Sequence, residues 1–290
     1  MEFGLYPNMG KENLYSFIEK LVSILEDKKI NYFIADYAQK TFEEKKIHIS
    51  ENHYKSRAWM GKHLKHILSI GGDGSYLEAA KAFADDSINL TGIHLGELGF
   101  LNSVCQGDVG DRIAQILENN YRLESRMFLS SYILHADGEK TILPDVLNDI
   151  VIGRNQIGKM VRVRLWINDT FAQQYPSDGL IISTPTGSTG YSFSCGGPIL
   201  HSAARQMLVV PVCAHTLAKY SSVLSGNDVV KITLPKREGT LHISADGKGN
   251  YALKNDDILI VKSCEKPIRF VRFADQDFWG TLSDKLVKKI

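Results

Sequence analysis

Cysteine is scarce in this chain of 290 residues: there are four, Cys105, Cys195, Cys213 and Cys264, and no two form a C-x-x-C pair. That spacing argues against zinc ribbons and redox dithiols. In a chain this long it also argues against a disulfide framework, so the expectation is buried thiols in a reducing compartment. An excess of charge of either sign is missing too. Lys plus Arg number 34 and Asp plus Glu 33, a formal charge of +1, which supplies no global pull toward nucleic acid or an anionic membrane. No uncharged apolar run approaches the roughly 18 residues of a membrane span. The opening Met1-Glu2-Phe3-Gly4-Leu5 has neither the basic start nor the long apolar stretch of a secretory signal. A cytoplasmic protein with no nucleic-acid or membrane partner is expected. The chain also lacks G-x-x-x-x-G-K-[ST], G-x-G-x-x-G, H-E-x-x-H and G-x-S-x-G. Its nine histidines form no metal-ligand array, and His63 and His66 fall together at a strand start rather than as a zinc pair.

What is present is enough for a folded body: 43% of residues are apolar and 23% charged, and the length suggests about two domains. Between Lys11 and Lys28, Leu14, Phe17, Ile18, Leu21, Val22 and Leu25 recur on one face of an amphipathic helix. Strands are expected at Glu2–Leu5, Tyr32–Ala35, His66–Ile70 and Asn89–His94, with a helix from Tyr76 to Ala84 and a polar loop or short helix over 40–62. This alternation is that of a parallel sheet wrapped by helices. Beyond Tyr121 the texture changes to short β-patterned runs. They include Val161–Ile167 followed by an Asn168-Asp169 turn, Val229–Leu234, Leu241–Ala245, Ile258–Val261 and Ile268–Phe273. The expected architecture is therefore a Rossmann-like α/β domain over 1–120 and a β-rich sandwich domain over 121–273. A C-terminal helix over 274–290, carrying Phe278, Trp279, Leu282 and Leu286, packs back on the body.

Three stretches carry chemistry. The apolar strand ending at Ile70 runs into Gly71-Gly72-Asp73-Gly74-Ser75. Glycines at the carboxyl end of such a strand let a phosphate approach the backbone, and a following helix start adds N–H donors. An acid among them repels an anion, but makes sense if it orients or deprotonates a hydroxyl or sits near Mg²⁺. The plainer reading is a tight turn with Asp73 as helix N-cap. The second stretch follows Asp178-Gly179 and the strand Leu180-Ile181-Ile182: a loop from Ser183 to Ser192 made almost wholly of small and hydroxylic residues, closed by Gly196-Gly197-Pro198. It can clasp a polar ligand such as a nucleotide, or be a surface loop. The third is Asn148-Asp149, set inside apolar Val146-Leu147 and Ile150-Val151-Ile152, either a polar site or a bulge or turn.

Together these segments, with Leu95–Leu101, Gly196–His201, Pro211–Leu217 and Asp246-Gly247, resemble the ATP- or polyphosphate-dependent NAD kinase family across nearly the whole chain. Gly-Gly-Asp-Gly alone is shared with phosphofructokinases and lipid kinases, whereas Asp178-Gly179 through Gly187-Ser188-Thr189 and Tyr191 is more diagnostic. The resemblance implies an α/β and a β-rich domain with substrate in the crevice between them, and transfer of a phosphate from ATP or polyphosphate to the 2′-hydroxyl of the adenosine ribose of NAD. By motif position, Asp73 would accept that hydroxyl's proton and Gly74 would line the same site. Asn148 and Asp149 would hold the adenosine part, with Phe100 as a wall. Thr186 and the run Thr189, Gly190, Tyr191, Ser192, Phe193, Ser194 would hold adenine and ribose. Asp178, Cys213, His215 and Lys248 would face the nicotinamide half, and Asp246 joins the substrate-binding set. Acids on that side would favour the cationic oxidised ring. Mg²⁺ is expected to enter with the donor rather than in a protein cage, and a homodimer or homotetramer is implied. The chain departs from the family pattern with Ser75 for Thr, His94 for Asn, Gly190 for Ala, Ala214 for Pro, Pro176-Ser177 for Arg-Gly and Lys248 for Gln. A lipid kinase of related architecture, or an NAD(P)-binding sensor without turnover, are the alternatives.

Overall fold

The computed structural model describes residues 1–96, 99–154, 160–216, 220–236 and 239–286. Glu97 and Leu98 of the turn after Asn89–His94, Leu217 of the matched segment 211–217, and the last residues of the expected C-terminal helix lie outside them. The chain forms two compact units, Met1–Ser125 with Lys266–Ile290, and Arg126–Glu265.

In chain order the first unit opens with β1 (Glu2–Pro7), α1 (Leu14–Asp27), β2 (Asn31–Ala35), α2 (Gln39–Glu44), β3 (Tyr54–Lys55) and α3 (Arg57–His63). It continues with β4 (His66–Gly71), α4 (Asp73–Ala82), β5 (Asn89–His94), β6 (Val104–Cys105), α5 (Val109–Leu117) and β7 (Arg122–Glu124). The second unit holds β8 (Phe128–Leu134), β9 (Lys140–Val146), β10 (Asp149–Arg154), β11 (Val161–Ile167), β12 (Thr170–Ser177), β13 (Gly179–Ser183) and α6 (Tyr191–Ser194). It ends with β14 (Gln206–Val212), β15 (Ser222–Ser225), β16 (Val229–Thr233), β17 (Leu241–Ala245), β18 (Lys248–Leu253) and β19 (Ile258–Cys264). The chain then returns to the first unit as β20 (Arg269–Arg272) and α7 (Phe278–Leu286).

The first sheet runs β3-β2-β1-β4-β5-β20-β7, with β6 beside β5. All its pairings are parallel except β20 with β7. The order 3-2-1-4-5 reverses direction between β1 and β4, and a doubly wound sheet opens its ligand crevice at the carboxyl ends there. β4 is buried at all six positions, which is why His66–Gly71 reads as a continuous apolar run rather than an alternating one. α1 presents the expected face, and its six buried side chains, Leu14, Phe17, Ile18, Leu21, Val22 and Leu25, join Phe3, Leu5, Ile34 and Leu68 in one core. Each such side chain contributes roughly 1.5–3 kcal/mol on burial.

The division differs from the one drawn on sequence at its far end. Ile268–Phe273 was assigned to the β-rich domain, but β20 pairs with β5 and β7 in the parallel sheet. Its alternation is that of any strand, and sheet membership is set by partners some 180 residues away in sequence (Arg269 with Asn89). The stretch 40–62 holds α2, β3 and α3; a strand of two residues is too short to leave a periodic trace.

The second unit is two antiparallel six-stranded sheets, β15-β14-β13-β10-β17-β18 and β12-β11-β16-β19-β8-β9. Inward-facing residues of both, among them Ile150, Ile152, Leu180, Ile182 and Val209 from one and Ile133, Val163, Leu165, Val230 and Val261 from the other, form one core, as in a sandwich. The outer face of the first sheet is buried as well: Ile181, Leu208 and Val210 pack with Val151, Cys195, Leu200 and Val212. Burial on both faces explains why Leu180-Ile181-Ile182 is uninterrupted. The expected hairpin turn Asn168-Asp169, and likewise Asp246-Gly247 between β17 and β18, have positive φ at both central residues (47°, 69° and 49°, 70°), the type I′ geometry their composition favours.

Candidate active site

In the first unit the candidate site is the turn between β4 and α4. Gly72 is the helix N-cap and Asp73 the first helical residue, so Asp73 is not the N-cap that the plainer reading of this turn would make it. Its carboxylate serves the loop after β5 instead. Oδ1 accepts from the Asn102 side-chain amide (2.8 Å) and from the backbone N–H groups of Leu101 (3.3 Å) and Asn102 (3.4 Å), while Oδ2 accepts, among the described residues, only from the N–H of Phe100 (2.8 Å). With two lone pairs per oxygen, Oδ1 is saturated and Oδ2 keeps one lone pair. A side chain at Gly99 would collide with this carboxylate, so the loop can close on Asp73 only with glycine there. Phe100 itself is half-buried, and Gly74 is exposed with open space over its Cα. The first-turn N–H groups of α4 have no acceptor within the helix and stand at its positive end.

The turn is tied to its neighbours at the carboxyl edge. Ser75 Oγ accepts from Asn8 Nδ2 (2.6 Å) and from the Gly72 N–H (3.3 Å), and the Asn8 N–H donates to Ile70 O (2.8 Å). Asn8 follows β1, on the other side of the switch point from Gly71. His94, the register partner of Gly71, accepts the Gly96 N–H at Nδ1 (2.9 Å), which leaves the proton on Nε2.

In the second unit three separate sequence blocks converge at one end of the outer sheet, because β10 is central and pairs with both β13 and β17 (Asp149 with Ser183, Ile150 with Ala245). The Asp246 carboxylate accepts the N–H groups of Leu147 (3.1 Å), Asn148 (2.9 Å) and Asp149 (3.1 Å). It was expected among the substrate ligands, but these bonds direct it to the backbone entering β10. The Thr184 N–H donates to Asn148 O (2.9 Å) and Thr184 Oγ1 to Leu147 O (2.5 Å). A Cβ at Gly187 would strike Asn148 O, so the hydroxyl-rich loop needs glycine to lie against this turn. Thr186 is buried and accepts from the buried Arg126 (Nη1 to Oγ1, 3.3 Å), and Thr189 Oγ1 donates to Thr186 O (3.3 Å).

Two polar atoms here have no partner among the described residues: Asn148 Oδ1 and Ser192 Oγ, both inaccessible. Buried acceptors and donors without partners are costly, and a ligand hydroxyl or amine would relieve them. Asp149 is 6% exposed, and burial, reinforced by the neighbouring Asp246 carboxylate, pushes it up to about 7. Tyr191 and Phe193 are exposed, with Ser194 beside them. Burial and then the Cys195, Cys213 and Asp149 side chains hold the Tyr191 phenol above its ordinary value.

Asp178, Cys213 and His215 lie at the opposite end, roughly 13 Å away along β13, whereas Lys248, paired with Ala245, lies at the Asp149 end. Asp178 pairs with Arg154 (Oδ1 to Nη1, 2.9 Å) and its N–H donates to Val212 O (2.9 Å). Cys213 is exposed with φ of 46°, and His215 is exposed with its N–H on Pro176 O (2.8 Å). Asp178 thus carries a cation beside it, so the acids there do not act as bare negative charge. Lys248 is exposed at the start of β18. Asn8, Arg126 and Arg154 escaped sequence reading. Only Asn8 had a signal, its place just past the strand β1 at the switch point.

A carboxylate on a glycine turn at the carboxyl edge of a doubly wound sheet, and a hydroxyl-rich loop on a β-sandwich, are an arrangement that suits a phosphotransferase acting on a nucleotide-type substrate. Residues 3–121 match the family model described as ATP-NAD kinase N-terminal domain, and residues 147–273 the ATP-NAD kinase C-terminal domain. The chain belongs to the NAD kinase family. It is 31% identical over 283 residues to the NAD kinase of Natranaerobius thermophilus, covering 98% of this chain and 96% of that protein. To the NAD kinase of Saccharophagus degradans it is 33% identical over 285 residues, 98% and 95% covered. Among solved structures it superposes on the yeast NADH kinase complexed with NADH with a TM-score of 0.87 at 18% identity, covering 99% of this chain and 87% of that one. It superposes on an NAD kinase from Archaeoglobus fulgidus in complex with ATP with a TM-score of 0.72 at 20% identity, each chain fully covered.

Proposed function

We propose that this chain transfers the terminal phosphate of ATP or polyphosphate to the 2′-hydroxyl of the adenosine ribose of NAD, forming NADP. The observation that carries the chemistry is the asymmetry of Asp73: among the described residues three donors saturate Oδ1, and one leaves Oδ2 a lone pair open. A ribose hydroxyl would donate to Oδ2 and pass its proton there as the oxygen attacks the phosphorus. A positioned base of this kind contributes typically ~10²–10⁴-fold. The rest of the catalysis is alignment and charge neutralisation, since phosphoryl transfer leaves little covalent work to the protein. The first-turn N–H groups of α4 suit the donor phosphates.

The adenosine half falls to the second unit. Asn148 Oδ1 is an acceptor for an exocyclic amine or a ribose hydroxyl, Ser192 Oγ a second unspent group, and Tyr191 an exposed ring for stacking. Asp178 with Arg154, Cys213 and His215 is assigned to the nicotinamide half. Asp246 shapes the turn that carries Asn148 and Asp149, and Lys248 borders it. No group of three His, Cys, Asp or Glu side chains that could hold a metal occurs among the described residues. Mg²⁺ is assigned to the donor complex as part of the substrate, where it would shield the phosphates from Asp73. Homo-oligomerisation is supported by exposed apolar side chains on edge strands, Ile142 of β9 at 80% and Val223 of β15 at 52%. No helix among the described residues is long and apolar enough to cross a membrane.

The test is NADP formation by the purified chain from NAD, MgCl₂ and ATP, read with an NADP-specific dehydrogenase. NADP is expected to accumulate in proportion to enzyme and to require Mg²⁺. Binding of NAD without turnover would overturn the reading in favour of a sensor, and phosphorylation of diacylglycerol instead would move it to a lipid kinase.

A further inference from the structure

We propose that Arg272 is a positioning residue for phosphoryl transfer, its guanidinium fixing the loop that grips the Asp73 carboxylate; the proposal rests on the role given to Asp73 above. β20 joins the first unit only after the chain has passed through the whole second unit, and Arg272 stands at its end, 7% exposed. Its Nη1 donates to the carbonyl of Leu101 (2.8 Å) and its Nε lies 3.5 Å from Glu124 Oε2. The N–H of that same Leu101 donates to Asp73 Oδ1. The backbone of Leu101 is thus spanned, with a cation on its carbonyl and an anion on its amide. The flanking amides of Phe100 and Asn102 also end on Asp73.

The next residue is held from the same side. Gln276 Nε2 donates to Ser103 O, Gln276 Oε1 accepts the Phe273 N–H (3.3 Å), and the Ser103 N–H reaches Gly92 O (3.0 Å). Arg272 and Gln276 thus hold the carbonyls of Leu101 and Ser103, while Asp73 holds the amides of residues 100–102.

Stability alone does not account for this arginine. Burying a guanidinium carries a large desolvation penalty, and replacing such pairs with apolar residues is often neutral or stabilising. Here Nη2 also meets no hydrogen-bond acceptor among the described residues, a further cost. What the guanidinium supplies is direction. Its rigid fork serves Glu124 and Leu101 O at once, which a lysine's single ammonium does not reproduce. With the loop held, the remaining lone pair of Asp73 Oδ2 keeps one aim, and a misalignment of about 1 Å in a catalytic group costs on the order of 10²-fold.

The experiment compares the full-length wild type with Arg272→Met, Arg272→Lys and a destabilised control, Ile113→Ala, from the core of the same unit. It reads steady-state kinetics and amide hydrogen exchange. Arg272→Met is expected to lower kcat on the order of 100-fold while the KM for NAD stays within about threefold. The amides of Phe100, Leu101 and Asn102 exchange faster while those of α1 keep their protection. Arg272→Lys recovers part of kcat, and Ile113→Ala lowers Tm without this loss. Should Arg272→Met not fold, Arg272→Lys carries both readouts, with a drop of roughly tenfold. Unchanged exchange at 100–102, or a kcat no lower than that of Ile113→Ala at equal Tm, overturns the proposal. A wild type that makes no NADP would defeat the functional reading instead, and the exchange result would then decide the positioning of the loop by itself.

Discussion

Asp149 keeps its proton at a pH where most carboxyl groups have lost theirs. Burial and the adjacent Asp246 carboxylate raise it from the ordinary 3.8 to about 7. The folded chain therefore binds a proton that the unfolded chain has released across this window, and stability falls as pH rises from about 4 to about 7, then levels off. Asp149→Asn removes the titrating group. Denaturant unfolding at pH 5.5 and pH 8 should show a smaller loss between the two for the variant than for the wild type; an identical loss would mean that Asp149 does not carry the proton. Asn148 is a sharper probe of recognition. Its Oδ1 has no protein partner among the described residues, so Asn148→Ala is expected to raise the KM for NAD by roughly 10-fold, the worth of one hydrogen bond of about 1 kcal/mol or a little more, with kcat little changed. An unchanged KM would exclude Asn148 from the dinucleotide. Neither property is visible in sequence. Adjacent Asn and Asp in an apolar run signal something polar, but the orphaned oxygen and the shifted carboxyl exist only once β13 and β17 have closed on either side of β10.

At the scale of elements, the site depends on turns held by carboxylates that also look like ligands. Asp246 binds three successive amides of 147–149, and Asp246→Ala leaves them without that partner, at a cost of roughly 1–3 kcal/mol. Thermal unfolding should show the loss together with a raised KM for NAD. A raised KM at unchanged stability would instead mean that Asp246 contacts the substrate. The two motifs Gly71–Ser75 and Ser183–Ser192 were legible because glycine and hydroxyl content betrays close approach and polar donors without any knowledge of the fold. The partners that aim them were not. Asn102, Arg126 and Arg272 lie in unremarkable sequence and act through a carbonyl, a hydroxyl or a carboxylate supplied by distant segments. β4 shows the same limit. Its apolar run was plain, but burial of His66, which lowers it to about 4, follows from packing. The unfolded chain takes up this proton first, so stability should be lost as pH falls from about 6.5 toward 4, and His66→Leu should flatten that limb in acid unfolding curves.

For the molecule as a whole, the second unit is one continuous segment with its own sandwich core, while the first is completed only by β20 and α7. Residues 126–265 expressed alone should fold cooperatively with a β-rich circular dichroism spectrum. Residues 1–125 alone leave β5 and β7 without the strand that joins them and should not reach native stability. Alternation of strand and helix, then of strands alone, was enough to read both architectures. The boundary near 265 was not legible, because the choice between two sheets is made by pairing with Asn89 and Leu90. The central claim concerns one oxygen of Asp73, and turnover at saturating NAD and Mg·ATP by wild type and Asp73→Asn tests it most directly. A drop in kcat of ~10²–10⁴-fold with NAD affinity retained is the predicted result; an Asp73→Asn enzyme that forms NADP as fast as the wild type contradicts it.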